Sequence, residues 1–161
     1  MLEKLFLKMY EYYSGDSHQI QHFVKVHSFA KQIGILEDLD EEKLMTLEVA
    51  AIVHDIGIKV SMEKYGISTG NYQEIEGPPI AEKILSELGY TKEIIDRVSY
   101  LVGHHHTYMN IDGLDYQILI EADFLVNIHE NSMNKEQIVS ILEKIFRTSS
   151  GIKLCKMIFN V

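Results

Sequence analysis

Apolar residues recur along this chain at the three- and four-residue spacing of a helix, and no stretch alternates with the period of a half-buried strand. Leu2, Leu5, Phe6, Met9 and Tyr13 outline a first helix. Asp16 or Ser17 is placed to cap a second, whose stripe holds Ile20, Phe23, Val24, Phe29, Ala30 and Ile33. Asp40 opens a third, running through Leu44, Leu47, Ala50, Ala51 and Val53 to an adjacent His54-Asp55 pair, with Gly57 expected to end it. From Ile58 to Ile75 the pattern fades, which predicts a loop with at most a short helical turn. Pro78 and Pro79 stand where the first turn of a helix accepts proline, and Ile80, Ile84, Leu85 and Leu88 carry that helix to Gly89. Thr91 caps the next, through Ile94, Ile95, Val98, Leu101 and Val102 into His104-His105-His106. A polar YMNIDG segment precedes a helix over Tyr116 to Ile128. Asn134 with Gln137 three residues on is a capping-box signature, and the chain after Arg147 shows no clear pattern. About six or seven helices with short connections predict an all-α bundle. No repeat, low-complexity tract or linker divides it, so a single domain over residues 1–161 is expected.

Composition narrows the function classes. A hydrophobic share of 46% belongs to a globular chain rather than a disordered one. The N-terminal MLEKLFLKMYEYY interrupts its apolar residues with charges, and no run of eighteen apolar residues occurs, so neither a signal peptide nor a membrane span is expected. The single Cys155 has no partner for an internal disulfide, which suits a reducing cytoplasm. A formal charge of −9 argues against stable nucleic-acid binding, which needs clustered Lys and Arg. It leaves room for a small phosphorylated substrate, because a bound cation supplies local positive charge that the protein lacks. Nothing in the pattern predicts an oligomeric state.

Eight histidines among 161 residues is about twice the usual share, and their grouping matters more than their number. A single helical histidine is commonly a surface or hydrogen-bonded residue. The acids change the picture. Asp55 follows AAIVH and Asp123 lies in QILIEADFLV, so both carboxylates fall within runs that read as buried and both need partners. A helix cap or a salt bridge can satisfy such an acid. Two of them, ordered with histidines as His22…His54-Asp55…Asp123, are explained more economically by one shared cation. Imidazole nitrogen with carboxylate oxygen suits a first-row divalent ion.

That order, with HDIG at 54–57, EADFL at 121–125 and HFVKV at 22–26, resembles the HD-domain superfamily of metal-dependent phosphohydrolases, over roughly residues 18 to 130. The resemblance implies that His22, His54, Asp55 and Asp123 bind one divalent metal, with Asp55 bridging where a second is present. Dinuclear members add histidines between Asp55 and the last Asp. Glu76 falls where the first of these is expected, and is otherwise an acid suited to a helix's first turn. Of the triplet, His105 follows the buried side of its helix and is the favoured ligand. His106 matches the paired histidines of some dinuclear relatives, and His104 is placed outside the ligand shell or at the surface. Two departures stand out. Where the family often has HDIGK, Ile58 here intervenes before Lys59, so Lys59 is either a phosphate contact or a solvated lysine. The GYP signature of the cyclic-dinucleotide subgroup is replaced by DGLDYQ at 112–117.

The expected activity is hydrolysis of a phosphate ester or anhydride in a small, nucleotide-like molecule by metal-activated water, with one or two divalent ions (manganese, iron, cobalt, nickel, zinc or magnesium). Asp55 and Lys59 are the candidate catalytic residues; Asp55, His22, His54, Asp123, Glu76, His105 and His106 are the candidate ligands. The alternatives are a metal- and nucleotide-binding sensor without turnover and a dinuclear iron oxygenase. Tyr65, Asn71, Tyr72, Gln73 and Tyr108 are candidates to line the pocket, or are simply exposed loop residues.

Overall fold

In the computed structural model, which describes residues 1–161, the chain forms nine helices and no strand. They are α1 (Leu2–Tyr12), α2 (Ser17–Leu36), α3 (Glu41–Val53), α4 (Gly57–Tyr65), α5 (Gly70–Glu87), α6 (Lys92–Val102), α7 (Leu114–Glu130), α8 (Lys135–Ile145) and α9 (Ser149–Phe159). The side-chain caps fall where short polar residues precede an apolar stripe. Asp16 accepts the N–H of Gln19, Asp40 that of Lys43 and Thr148 that of Gly151, while Asn134 and Gln137 form a reciprocal capping box.

Helix α3 sits at the centre, packed against α1, α2, α6 and α7. Every residue from Thr46 to Val53 is buried, so this helix has no solvent face along its second half. Helix α7 is similar, with an unbroken buried run from Asp115 to Asp123. Each fully buried Leu, Ile or Val contributes about 1.5–3 kcal/mol of transfer free energy, and the segments that surround the His-Asp pair carry many of them. No helix is long and apolar enough to cross a membrane.

Four expectations are corrected. The stretch from Ile58 to Ile75 is mostly helical, forming α4 and the first turns of α5. Helix α4 buries only Gly57 and Ser61, too little to imprint an apolar stripe on the sequence. Gly57 accordingly starts α4 instead of ending α3, and its role is close approach: a Cβ there would lie 2.6 Å from the Gln73 carbonyl oxygen and 2.9 Å from the Gly77 nitrogen. Pro78 and Pro79 lie inside α5, not in its first turn. They deprive the Glu74 and Ile75 carbonyls of their helical donors, and Gly77 before them has no Cβ to clash with the first ring. Finally, the patternless segment after Arg147 contains α9, raising the helix count to nine.

Candidate metal centre

The His-Asp pair occupies the turn between α3 and α4, and α1 holds that turn from behind. The Tyr13 hydroxyl donates to the Asp55 carbonyl at 2.7 Å, and the Tyr12 hydroxyl donates to the Ile56 carbonyl at 3.1 Å. With its backbone fixed, the turn projects the His54 and Asp55 side chains toward α2 and α7. There His54 Nε2 lies 3.3 Å from His22 Nε2 and 3.6 Å from Asp123 Oδ1, while His22 Nε2 lies 3.1 Å from Asp123 Oδ1. Asp55 Oδ2 stands 3.3 Å from His22 Nε2 and 3.4 Å from His54 Nε2.

The other ring nitrogens decide what these contacts are. His54 Nδ1 faces the Ala51 carbonyl at 2.9 Å, which can only accept, so Nδ1 carries the hydrogen and a neutral ring leaves Nε2 with a lone pair. His105 is the same, with Nδ1 2.8 Å from the Val102 carbonyl. His22 Nδ1 lies 2.9 Å from the Glu130 carboxylate. Three Nε2 lone pairs and two carboxylates therefore converge on one buried region, acceptor facing acceptor. Only a proton or a cation reconciles them. His105 Nε2 is buried without a hydrogen-bond partner, 3.3 Å from Asp55 Oδ1. Asp55 thus turns one oxygen to each of two donor groups: His22, His54 and Asp123 on one side, His105 and His106 on the other.

Neighbours outside the cluster fix its members in place. Gln19 Nε2 donates to Asp55 Oδ2 at 2.9 Å and Asn127 Nδ2 to Asp123 Oδ1 at 2.8 Å. Lys25 Nζ pairs with Glu130 at 2.7 Å, holding the carboxylate that receives His22 Nδ1–H. Such partners set tautomer and ring orientation at metal-binding histidines. Gln19, Asn127 and Glu130 escaped the reading of the sequence, although helical spacing was available to find them. Gln19 precedes His22 by three residues, and Asn127 and Glu130 follow Asp123 by four and seven, all on the same helix faces.

Electrostatics reflect the crowding of acids and histidines. Burial works to lower the His22 and His54 pKa values, but the facing Asp55 and Asp123 outweigh it, raising His54 and bringing His22 up to about 9. Burial likewise works to raise the acids, and the neighbouring histidines hold both Asp55 and Asp123 well below the usual carboxylate range. His106 is pushed down to about 4 by burial and by the charge of His105. Its Nε2 lies 3.0 Å from Gln73 Oε1, and the Gln73 amide donates onward to the Ser68 carbonyl, so Nδ1 keeps the lone pair.

The remaining predicted residues fall elsewhere. Glu76 lies outside the cluster: its carboxylate takes hydrogen bonds from Lys64 Nζ at 2.6 Å and Tyr65 at 2.7 Å, on the α4 side of α5. Gln73, one turn earlier, is the α5 residue that faces the centre. The expectation for Glu76 rests on the resemblance alone, and in α5 its carboxylate is turned toward α4. Lys59 Nζ donates to the Tyr12 carbonyl at 3.2 Å and lies 5.2 Å from the Tyr12 ring centroid, away from the cluster. His104 stacks on Tyr100 and bonds its carbonyl, outside the cluster. Tyr65 and Tyr72 stack on each other 4.0 Å apart, whereas Tyr108 packs on Phe124 near the centre, where burial and the charge of Asp123 raise its phenol to about 12.

The centre opens into a polar hollow of about 190 Å³, walled by His22, Asp55, Gln73, His106, Asp123 and Asn127 among others, and no lysine or arginine lines it. Among solved structures, the chain is similar to a predicted HD superfamily hydrolase from an uncultured Thermotogales bacterium, with 22% identity and a TM-score of 0.69. That match covers 97% of this chain and 83% of the other, and shows a shared fold. No curated protein matches the chain. The family model for the HD domain matches residues 20–147, from just before His22 to the corner after α8. With four-fifths of its length matched by that model, the chain belongs to the HD-domain superfamily.

Proposed function

We propose that this chain is a divalent-metal-dependent phosphohydrolase acting on a small phosphorylated, nucleotide-like molecule. The observation that carries the reading is the convergence of acceptor atoms on one buried point, with His105 Nε2 left unpartnered beside it. Membership of the HD-domain superfamily supports it, and the similar Thermotogales chain is itself described as a hydrolase. In this reading His22, His54, Asp55 and Asp123 hold one ion. The second oxygen of Asp55, with His105 and His106, provides donors for another. A set of imidazoles and carboxylates favours manganese, iron, cobalt, nickel or zinc over magnesium, which prefers oxygen alone.

A divalent ion held by these donors supplies Lewis acidity and lowers the pKa of coordinated water toward neutrality. The chain's own residues do the rest. Glu130, Asn127 and Gln19 orient the ligand side chains, and the buried walls keep the donors in low dielectric, where they act strongly. Asn127, Asn131 and His18 line the hollow and offer hydrogen bonds to phosphate oxygens, the part that Lys59 does not reach. In the hydrolysis the oxygen of water forms the new bond to phosphorus, the ester bond breaks, and the departing alcohol leaves with a proton.

The test is a panel of phosphomonoesters, nucleotides and dinucleotides, incubated with the chain loaded with each ion in turn. Metal-dependent release of phosphate that disappears in Asp55→Ala supports the reading. Stoichiometric metal with no turnover of any compound contradicts it and favours a sensor.

A further inference from the structure

Beside the metal centre lies a second hollow of about 300 Å³, and Ile58 belongs to the walls of both. The fastening of α1 to the His-Asp turn puts them side by side. Tyr12 and Tyr13 line the second hollow, and their hydroxyls bond the backbone of Ile56 and Asp55. Asp16, on its rim, accepts the N–H of Gln19, whose amide reaches the Asp55 carboxylate. A molecule with one end at the metal centre would have this second space as its neighbour across Ile58.

The two spaces differ in chemistry. Ile58 is the one hydrophobic residue lining the metal hollow, whereas half the residues lining the second are hydrophobic. Tyr12 presents an aromatic ring, Met62 a half-exposed thioether, and Lys59 an ammonium lying 5.2 Å from the Tyr12 centroid. These groups suit the face of a planar ring. The charged residues around the space are Lys59 against Asp16 and Glu63, leaving one net negative charge. That balance repels a second phosphate and accepts an uncharged body. Together the hollows fall within the ~300–1,000 Å³ that small-molecule sites occupy.

We propose that the hollow formed by Tyr12, Ile58, Lys59 and Met62 is the leaving-group subsite of this centre, and that it takes the planar aromatic body of a substrate carrying a single phosphate. The inference rests on the phosphohydrolase reading and adds to it the shape and charge of the substrate. It also gives Lys59 a place. With Ile58 inserted after HDIG, the lysine is turned out of the phosphate hollow and into the neighbouring one.

Calorimetric titration of the manganese-loaded chain with adenosine monophosphate, adenosine diphosphate and glycerol 2-phosphate tests the proposal. Adenosine monophosphate is expected to bind about tenfold more tightly than glycerol 2-phosphate, the scale of one ring stacked on an aromatic side chain. The diphosphate is expected to gain nothing further. Tyr12→Leu should bring the ratio of the two monoester affinities close to one. Met62→Ala, at a half-exposed position where folding is not at stake, should lower the ratio in the same direction. Equal binding of the two monoesters by the parent chain, or an unchanged ratio in both variants, overturns the subsite. A diphosphate that binds tenfold more tightly than the monophosphate overturns the single-phosphate assignment. Where the chain turns the monoesters over, the same ratio is read from their KM values, and a chain that shows the preference but hydrolyses nothing contradicts the phosphohydrolase reading alone.

Discussion

Glu121 and Asp123 are two residues apart on α7 and both are buried, yet they live in opposite surroundings. Glu121 meets donors. Gln117 Nε2 at 2.7 Å, the Arg147 N–H at 2.7 Å and the Thr148 N–H at 2.9 Å all give to Oε1, and the Thr148 hydroxyl gives to Oε2. Its charge is spent within the chain, tying the corner between α8 and α9 to the core. Asp123 receives one hydrogen bond from a neutral donor, Asn127, and otherwise faces the Nε2 atoms of His22 and His54. A buried acid surrounded by donors is part of the scaffold, whereas a buried acid surrounded by acceptors needs something brought in from outside. Burial alone does not tell them apart; the partners do.

The comparison breaks most directly by deleting each acid. Glu121→Ala strands several buried donors and should cost about 3–5 kcal/mol of stability, read by denaturant unfolding, while folded molecules keep their metal affinity. Asp123→Ala should do the reverse when both are read above about pH 9, where His22 has lost its proton, leaving the unfolding midpoint of the metal-free chain close to the parent's and lowering metal-dependent hydrolysis by about a thousandfold, the scale of several kcal/mol of lost charge stabilisation. If both variants lose stability and neither loses metal, the distinction between the two acids fails.

A smaller effect belongs to the carboxylate behind His22. Glu130→Gln keeps the shape but removes the charge that receives Nδ1–H and pairs with Lys25. Metal affinity should fall about 10- to 100-fold by competition against a chromophoric chelator, without loss of fold. An unchanged affinity would leave His22 oriented by packing alone.

The acids also set a pH signature. In the metal-free chain His22 is raised from about 6.5 to about 9, so it binds its proton more tightly folded than unfolded. That contribution is complete below pH 6.5 and is lost as pH rises through about 9, so the melting temperature of chelator-treated protein should fall across this interval. The same proton competes with a metal ion, so metal affinity should rise over the interval and one or more protons should be released on binding. A metal-free melting temperature that climbs from pH 6.5 to 9 would reverse the sign and contradict the geometry.

The smallest expected effect marks the edge of the centre. Glu76→Gln disturbs a carboxylate whose partners, Lys64 and Tyr65, are both exposed, and such pairs are worth about 0–1 kcal/mol. Hydrolysis and metal content should stay within about twofold of the parent. A loss comparable to that of Asp123→Ala would bring Glu76 back among the ligands.

What could be seen in the sequence tracks how strongly each element is patterned. Helices α2, α3, α6 and α7 bury continuous stripes whose apolar positions are plain, as are the caps of the first three. The candidate ligands His22, His54, Asp55, Asp123, His105 and His106 all lie on these four helices or in the turns that follow them. Helix α4 buries two small residues and α9 two, Gly151 and Cys155, so neither writes a hydrophobic period. The true start of α5 at Gly70 is hidden because Pro78 and Pro79 mimic a helix beginning. Gln73, a candidate for the pocket wall, lies in that hidden opening of the helix and lines the metal hollow. The supporting shell was spelled out at helical spacing but in Gln, Asn and Glu, residue types that draw no attention outside the fold.

Metal content, measured on the native chain and on the two α7 acid variants side by side, tests the central claim most directly. Elemental analysis after incubation with first-row divalent ions and desalting should find at least one equivalent per chain in the parent and in folded Glu121→Ala, and close to none in Asp123→Ala. A parent chain that retains no stoichiometric ion, or an Asp123→Ala chain that retains as much as the parent, would contradict the assignment of the converging acceptors as a metal centre.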